Sequence, residues 1–220
     1  MTTLQIDFVS DVVCPWCAVG LASLQQALAR LAPEVHANIT FQPFELNPQM
    51  PAEGEEIVAH LSRKYGIGAE QIAANSEAIR QRGAAVGFSF GQGKRTHIYN
   101  TFDAHRLLHW AGLQGEREQT ALKMALLRAY HGEGRNPSDT ATLVALAGEA
   151  GLDTAEAARV LASGEHAEAV RQAERRWQES GISSVPAVVI EGQYLVSGGQ
   201  PPEVFEQALR QIAASNSTMC

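Results

Sequence analysis

Cysteine is scarce in this chain of 220 residues, which has only three. A small secreted domain stapled by disulfides carries more, usually an even number, so that class is excluded. Basic residues are also few: 17 Lys and Arg against 24 Asp and Glu give a formal net charge of −7. No Lys/Arg cluster is dense enough to neutralise a phosphate backbone, which argues against a nucleic-acid partner. No apolar run approaches the ~20 residues that span a bilayer, so no membrane partner is expected. Met1-Thr2-Thr3 enters a strand at once, without a basic n-region or an apolar h-region. The expected compartment is therefore the cytoplasm. What remains is an ordinary globular composition, 45% hydrophobic and 19% charged, in a chain long enough for a sizeable core.

The apolar pattern divides the chain into three stretches. Leu4, Ile6 and Phe8 alternate with Gln5, Asp7 and Val9, as in a strand. Cys17, Leu21, Leu24, Leu28 and Leu31 then recur at helical spacing until Pro33. A second strand is expected over 37–43, completing a βαβ unit that should be parallel. From about 55 to 180 the patterns are helical, with almost no strand signal. Helices are expected at 55–65, 69–83, 100–111, 116–132, 139–150, 154–162 and 165–180. Ala187-Val188-Val189-Ile190, the turn Glu191-Gly192 and Gln193-Tyr194-Leu195-Val196 read as a β-hairpin. A last helix carries Val204, Phe205, Leu209 and Ile212. One sheet can accept both ends. The expected class is α/β, with residues 1–48 and 181–214 forming one discontinuous domain. Residues 49–180 form a helical insertion, and 215–220 a flexible tail.

Two of the three cysteines form Cys14-Pro15-Trp16-Cys17, between the first strand and the first helix. Pro15 suits the first helical position, where its missing N–H costs nothing. Cys14 then falls at the N-cap, with the N–H groups of Trp16 and Cys17 pointing towards its sulfur. A free thiol ionises near ~8.5, and at helix N-termini or in Cys-x-x-Cys the value falls to ~3.5–7.5. Cys17 shares the face of Leu21 and Leu24, so it should be the buried sulfur and Cys14 the exposed one. The expected roles follow: Cys14 is the nucleophile and Cys17 resolves the mixed disulfide. A zinc site needs four ligands, and neither a second Cys-x-x-Cys nor a well-spaced His pair lies nearby, so no metal is expected. Cys220, in a polar terminus, reads as an incidental exposed thiol.

Ser184-Val185-Pro186 stands directly before the 187–190 strand. Proline is tolerated as a strand's first residue. The sharper reading is a cis Val185–Pro186 bond beside the dithiol, with the Val185 backbone free to pair with an extended substrate. Pro15 and Trp16 would complete an apolar rim. Together these features resemble a thioredoxin-like fold of the DsbA superfamily, most closely its FrnE-like branch. The segments Ser10 to Cys17, Asn100 to Leu107 and Gly192 to Pro202 carry that likeness. The resemblance implies a thioredoxin-like domain with a large all-helical insertion between its βαβ and ββα halves. It also implies a thiol–disulfide oxidoreductase or isomerase with a cis-proline opposite the dithiol. Three departures stand out. Ala18 replaces a common aromatic, Cys220 has no nearby cysteine to pair with, and Phe8 stands where related enzymes often bury an acid. Asp7 is one residue off and would face the other side of the sheet. The proton of Cys17 is thus left without an evident acceptor.

Other candidates weigh less. His105 and His109 are four apart on an expected helix, with His97 upstream, but no acidic motif accompanies them and a surface or packing role outweighs metal binding. Asn100 and His105 are candidates for a cleft over the dithiol, with helix capping the competing role of Asn100. Leu107, Leu108 and Trp110 read as core, and Glu53 to Glu56 as a solvated helix start. The leading function is disulfide exchange with protein or small-molecule substrates. It needs no bound cofactor, with glutathione a candidate redox partner and a homodimer compatible with the class. The alternative is a glutathione-dependent transferase or isomerase of the kappa or 2-hydroxychromene-2-carboxylate isomerase type, although those enzymes generally place Ser where Cys14 stands. A third class is a binding module with a vestigial dithiol.

Overall fold

The computed structural model describes residues 2–218. Strand β1 (Thr2–Ser10), helix α1 (Pro15–Leu31) and strand β2 (Val35–Pro43) form the first unit. The middle holds β3 (Glu55–Glu56), α2 (Ile57–Tyr65), α3 (Ala69–Ala85), β4 (His97–Ile98), α4 (Phe102–Gln114), α5 (Glu116–Leu127), α6 (Thr140–Glu149), α7 (Thr154–Ala162) and α8 (Ala167–Glu179). Strands β5 (Ala187–Ile190) and β6 (Tyr194–Ser197) and helix α9 (Pro202–Thr218) end the fold.

The main sheet has the order β2-β1-β5-β6. β1 pairs parallel with β2, from Thr2 opposite Val35 to Ser10 opposite Pro43, and antiparallel with β5. A central strand buried on both faces must be apolar on both. Leu4, Ile6 and Phe8 enter the core under α1, while Val9 packs on the other face with Phe44 and Trp177. Asp7 does face away from the dithiol side, and its carboxylate accepts the Gln42 amide at 2.6 Å. Cys17, Leu21, Leu24 and Leu31 of α1 are buried as the spacing predicts, and α1 is covered by α9 and α3.

Strand β2 is an edge of the sheet, and its outward N–H groups would otherwise be open. Helix α5 closes them with side chains. Glu116 Oε1 accepts Ile39 N–H at 2.7 Å, and Gln119 Oε1 accepts Phe41 N–H at 2.9 Å. Gln119 Nε2 returns a bond to Phe41 O at 3.2 Å. The helical block is thereby locked to the sheet. The two cores also interpenetrate, since Val86, Phe88 and Leu127 join the sheet core and Val12 joins the helical one.

Several boundaries differ from the sequence reading. Glu55 and Glu56 are not the first helical turn. They pair antiparallel with Ile98 and His97, a short ladder in a stretch that shows almost no strand signal. The Glu56 carboxylate then caps α2 by accepting Val58 and Ala59 N–H. Helix α4 starts two residues after Asn100, and the expected 116–132 helix changes to a π turn at Arg128–Glu133. Residues 215–218, expected as tail, continue α9. Cys220 lies outside the described residues. Among the described residues, no helix is long and apolar enough to cross a membrane.

Candidate active site

Cys14 caps α1 with extended φ −81° and ψ 113°, and Pro15 opens the helix. Cys17 N–H donates to Cys14 O at 3.1 Å, closing the first turn around the sulfur. The Val185–Pro186 peptide bond is cis. The Cys14 thiol points at the carbonyl it presents, with Sγ 3.6 Å from Val185 O. Pro186 O accepts Gly198 N–H at 2.8 Å, which fixes this loop to the end of β6. Close approach is possible because α1 carries Gly20 there: a Cβ would stand 3.1 Å from Pro186 Cγ. Gly199 leaves similar room for Trp16, which is 37% exposed and forms the rim.

The expected contrast between an exposed Cys14 and a buried Cys17 is corrected. Cys14 is 4% exposed and Cys17 0%, with the Val185 carbonyl lying against the first sulfur. Protonation separates them instead. A hydrogen bond from Cys17, aided by the N–H groups of Cys17 and Trp16, brings the Cys14 thiol below its ordinary value despite burial. Burial, together with the hydrogen bond and charge of Cys14, pushes Cys17 well above it. One sulfur is favoured as thiolate and the other is held as thiol.

Behind the dithiol lie ionisable groups, of which the sequence reading had named only His105. Asp11, fully buried, directly follows β1. Its Oδ2 accepts Leu46 N–H at 2.7 Å, and its backbone carbonyl accepts Cys14 N–H at 3.3 Å. Burial pushes the Asp11 carboxyl up, but His105, Leu46 N–H and Thr101 outweigh it and hold it below its usual range. His105 Nε2 approaches Asp11 Oδ1 at 3.6 Å, an electrostatic contact longer than a hydrogen bond. From the π turn, His131 Nε2 lies 2.9 Å from Val12 O, and Arg95 stands 3.4 Å from its Nδ1. These partners assign the neutral tautomer with the proton on Nε2, and burial pushes its pKa well below the usual value. Lys123 of α5, also fully buried, completes the group.

His105 is thus brought behind the dithiol, next to Asp11. Asn100 is used locally: its Oδ1 accepts Phe102 N–H at 2.9 Å and its carbonyl accepts the Ser138 hydroxyl. His109 turns to His166, with ring centroids 5.2 Å apart, and His97 stacks on Tyr99. Among the described residues, no group of three or more His, Cys, Asp or Glu side chains is placed to hold a metal ion. A signal for Lys123 was present. Gln119, Leu122, Lys123 and Leu126 follow the i, i+3, i+4, i+7 spacing of a buried stripe, so the charge falls on the inner face.

The model of the DSBA-like thioredoxin domain matches residues 5–210. The chain belongs to the DsbA-like family. Within it, a probable DsbA oxidoreductase of Streptomyces coelicolor, SCO1869, is 37% identical and superposes with a TM-score of 0.86, over 94% of this chain and 89% of that one. An uncharacterized protein of Bacillus subtilis, YwbO, is 28% identical over 94% of this chain and 96% of its own. The cytosolic disulfide reductase DsbM of Pseudomonas aeruginosa, solved with GSH, shares the fold at 18% identity and a TM-score of 0.63, covering 94% and 98% of the two chains. The DsbA-like assignment accounts for a central sheet with a helical block between its two halves.

Proposed function

We propose that this DsbA-like protein exchanges disulfides with protein or small-molecule substrates through Cys14 and Cys17. One observation carries the reading: a Cys14 thiol held below its ordinary pKa faces the Val185 carbonyl, while Cys17 behind it stays protonated. The Cys14 thiolate attacks a substrate sulfur, forms a mixed disulfide and releases the other half as thiolate. Cys17 then attacks Cys14 Sγ, closing the 14–17 disulfide and freeing the substrate. The Val185 carbonyl and the Trp16 and Pro15 rim would hold an extended substrate beside the sulfur. The quoted sequence segments support the FrnE-like branch as the finer placement, and likeness to a cytosolic reductase supports a cytoplasmic role with glutathione as redox partner.

In an insulin-reduction assay Cys14→Ser should abolish turnover, and full activity in that variant would sink the proposal. Cys17→Ser should instead accumulate the mixed disulfide, read by mass spectrometry. The second reading is a glutathione-dependent transferase or isomerase. A cavity of about 580 Å³ between β2 and helices α4, α5 and α8 favours it, as does likeness to a protein solved with GSH. Conjugation or isomerisation by Cys14→Ser, with no loss relative to the wild type, would select that reading.

A further inference from the structure

Residues 11–14 belong to neither β1 nor α1, yet they set where the Cys14 sulfur stands. Asp11 secures part of this junction from within. Its Oδ1 accepts Val13 N–H at 3.4 Å, and its carbonyl accepts Cys14 N–H at 3.3 Å. The Val12 carbonyl is held from another element, by His131 Nε2–H at 2.9 Å, 119 residues further along the chain. His131 is 1% exposed. The rings of Tyr130, Phe90 and Phe88 pack around it, with centroids 4.8, 5.4 and 6.3 Å from its own. Its carbonyl accepts Gly91 N–H at 3.0 Å, so its main chain is tied as well. Arg95 Nη1 donates to Nδ1 at 3.4 Å. A guanidinium cannot accept, so this contact and the Val12 bond fix both the tautomer and the plane of the ring. A rigid donor thus grips the chain two residues before the nucleophile, whose sulfur stands 3.6 Å from Val185 O.

We propose that His131 is a positioning residue for Cys14: its neutral imidazole, oriented by Arg95, holds the Val12 carbonyl and so keeps the sulfur over the first turn of α1 and against Val185 O. The role rests on the disulfide-exchange reading above. A thiolate at a helix start is favoured only while N–H groups are aimed at it, and such bonds weaken steeply with distance and angle. A junction free to swing keeps both cysteines and loses that alignment. No bond forms or breaks at His131, and no proton passes through it during exchange. Acid undoes the arrangement, because a second proton goes to Nδ1, which then meets Arg95 donor to donor. Burial, then the charges of Arg95 and Lys123, push the His131 pKa down, and bonding to the Val12 and Cys14 backbone opposes them. The charged and titratable groups around Tyr130 and His131 are Arg95 from the loop before β4, Tyr99 just after β4, Lys123 from α5, and Asp11 and Cys14 at the junction.

The test uses the full-length reduced protein as wild type, His131→Phe, His131→Gln and Arg95→Met. Phenylalanine keeps a ring against Phe88, Phe90 and Tyr130 but donates nothing. Glutamine can place an amide N–H where Nε2–H stands, and it does not titrate. Alkylation of Cys14 by iodoacetamide is followed against pH by mass spectrometry, beside denaturant unfolding. The wild type should show a Cys14 pKa below ~8.5. In His131→Phe the thiolate fraction at neutral pH should fall ~10-fold, the size of one lost hydrogen bond, and His131→Gln should restore it. A ring with a packing role alone would lower the unfolding midpoint and leave the Cys14 profile unmoved. That outcome overturns the proposal, as does a His131→Gln profile that stays with His131→Phe. Should His131→Phe fail to fold, Arg95→Met decides. It frees Nδ1 and should shift the Cys14 profile the same way by a smaller factor, and a wild-type profile there overturns the proposal. If the wild type itself ionises at ~8.5, the disulfide-exchange reading falls as well. If it ionises lower and His131→Phe matches it, only the role of His131 falls.

Discussion

On one flank of Cys14 the walls are mainly backbone and small residues: the first turn of α1, the Val185 carbonyl, and Gly20 and Gly199 giving room to Pro186 and Trp16. On the other flank they are buried ionisable side chains, with Asp11, His105, Lys123 and His131 supplied mostly by the helical block. The first flank fixes where the sulfur is and what approaches it. The second fixes which protons stay in place. Backbone geometry tolerates little change in volume, whereas the charged flank is sensitive to pH.

Three variants separate these contributions. The largest effect is expected where the flanks are joined. Gln119→Leu leaves Phe41 N–H without its acceptor, and an orphaned buried donor costs ~1–3 kcal/mol, which denaturant unfolding would register. Equal stability would mean that α5 does not hold the edge of β2. Next, Gly20→Val drives a branched side chain against Pro186. Overpacking costs ~1–3 kcal/mol, and the shifted loop should also change the alkylation rate of Cys14. Unfolding midpoints together with iodoacetamide kinetics check this, and a variant unchanged in both would break the account of the backbone flank.

The smallest effect is confined to acid. His131 is neutral in the fold, with its pKa lowered by burial, so the unfolded chain binds the proton first as pH falls. Its contribution is complete above about pH 6.5, the ordinary histidine value, and declines below that by up to ~1.4 kcal/mol per pH unit. Asp11, also lowered, contributes fully above about pH 4 and loses its share as pH falls further through its folded value. Stability measured against pH should therefore fall in two steps, and His131→Asn should flatten the upper one. An unchanged upper limb would show that His131 is protonated in the fold.

Much of the backbone flank was legible because its signals are local. Cys14 to Cys17, the helical spacing from Cys17 to Leu31, and Pro186 ahead of an apolar run and a turn each occupy a few adjacent residues. Apart from His105, the charged flank was not, because its members meet only through folding. Asp11 reads as one polar residue among Ser10, Val12 and Val13, and its partners lie at 46 and 105. Related enzymes often bury an acid at the position of Phe8, while here the buried acid stands three residues further on, just past the strand. Lys123 did carry a sign, a charge on an apolar stripe, but helical lysines are usually solvated. His131 lies on a π turn, a local widening that alternation and 3.6-residue spacing do not announce.

The position of β1 has a consequence for how the chain is made. β1 leaves the ribosome long before β5, and β2 can pair with it soon after it emerges. Its other side waits for β5, at residues 187–190. The dithiol is therefore synthesised well ahead of Val185, whose carbonyl Cys14 faces in the fold. Between those two points of translation, the nascent chain carries an open strand edge beside a reactive sulfur pair.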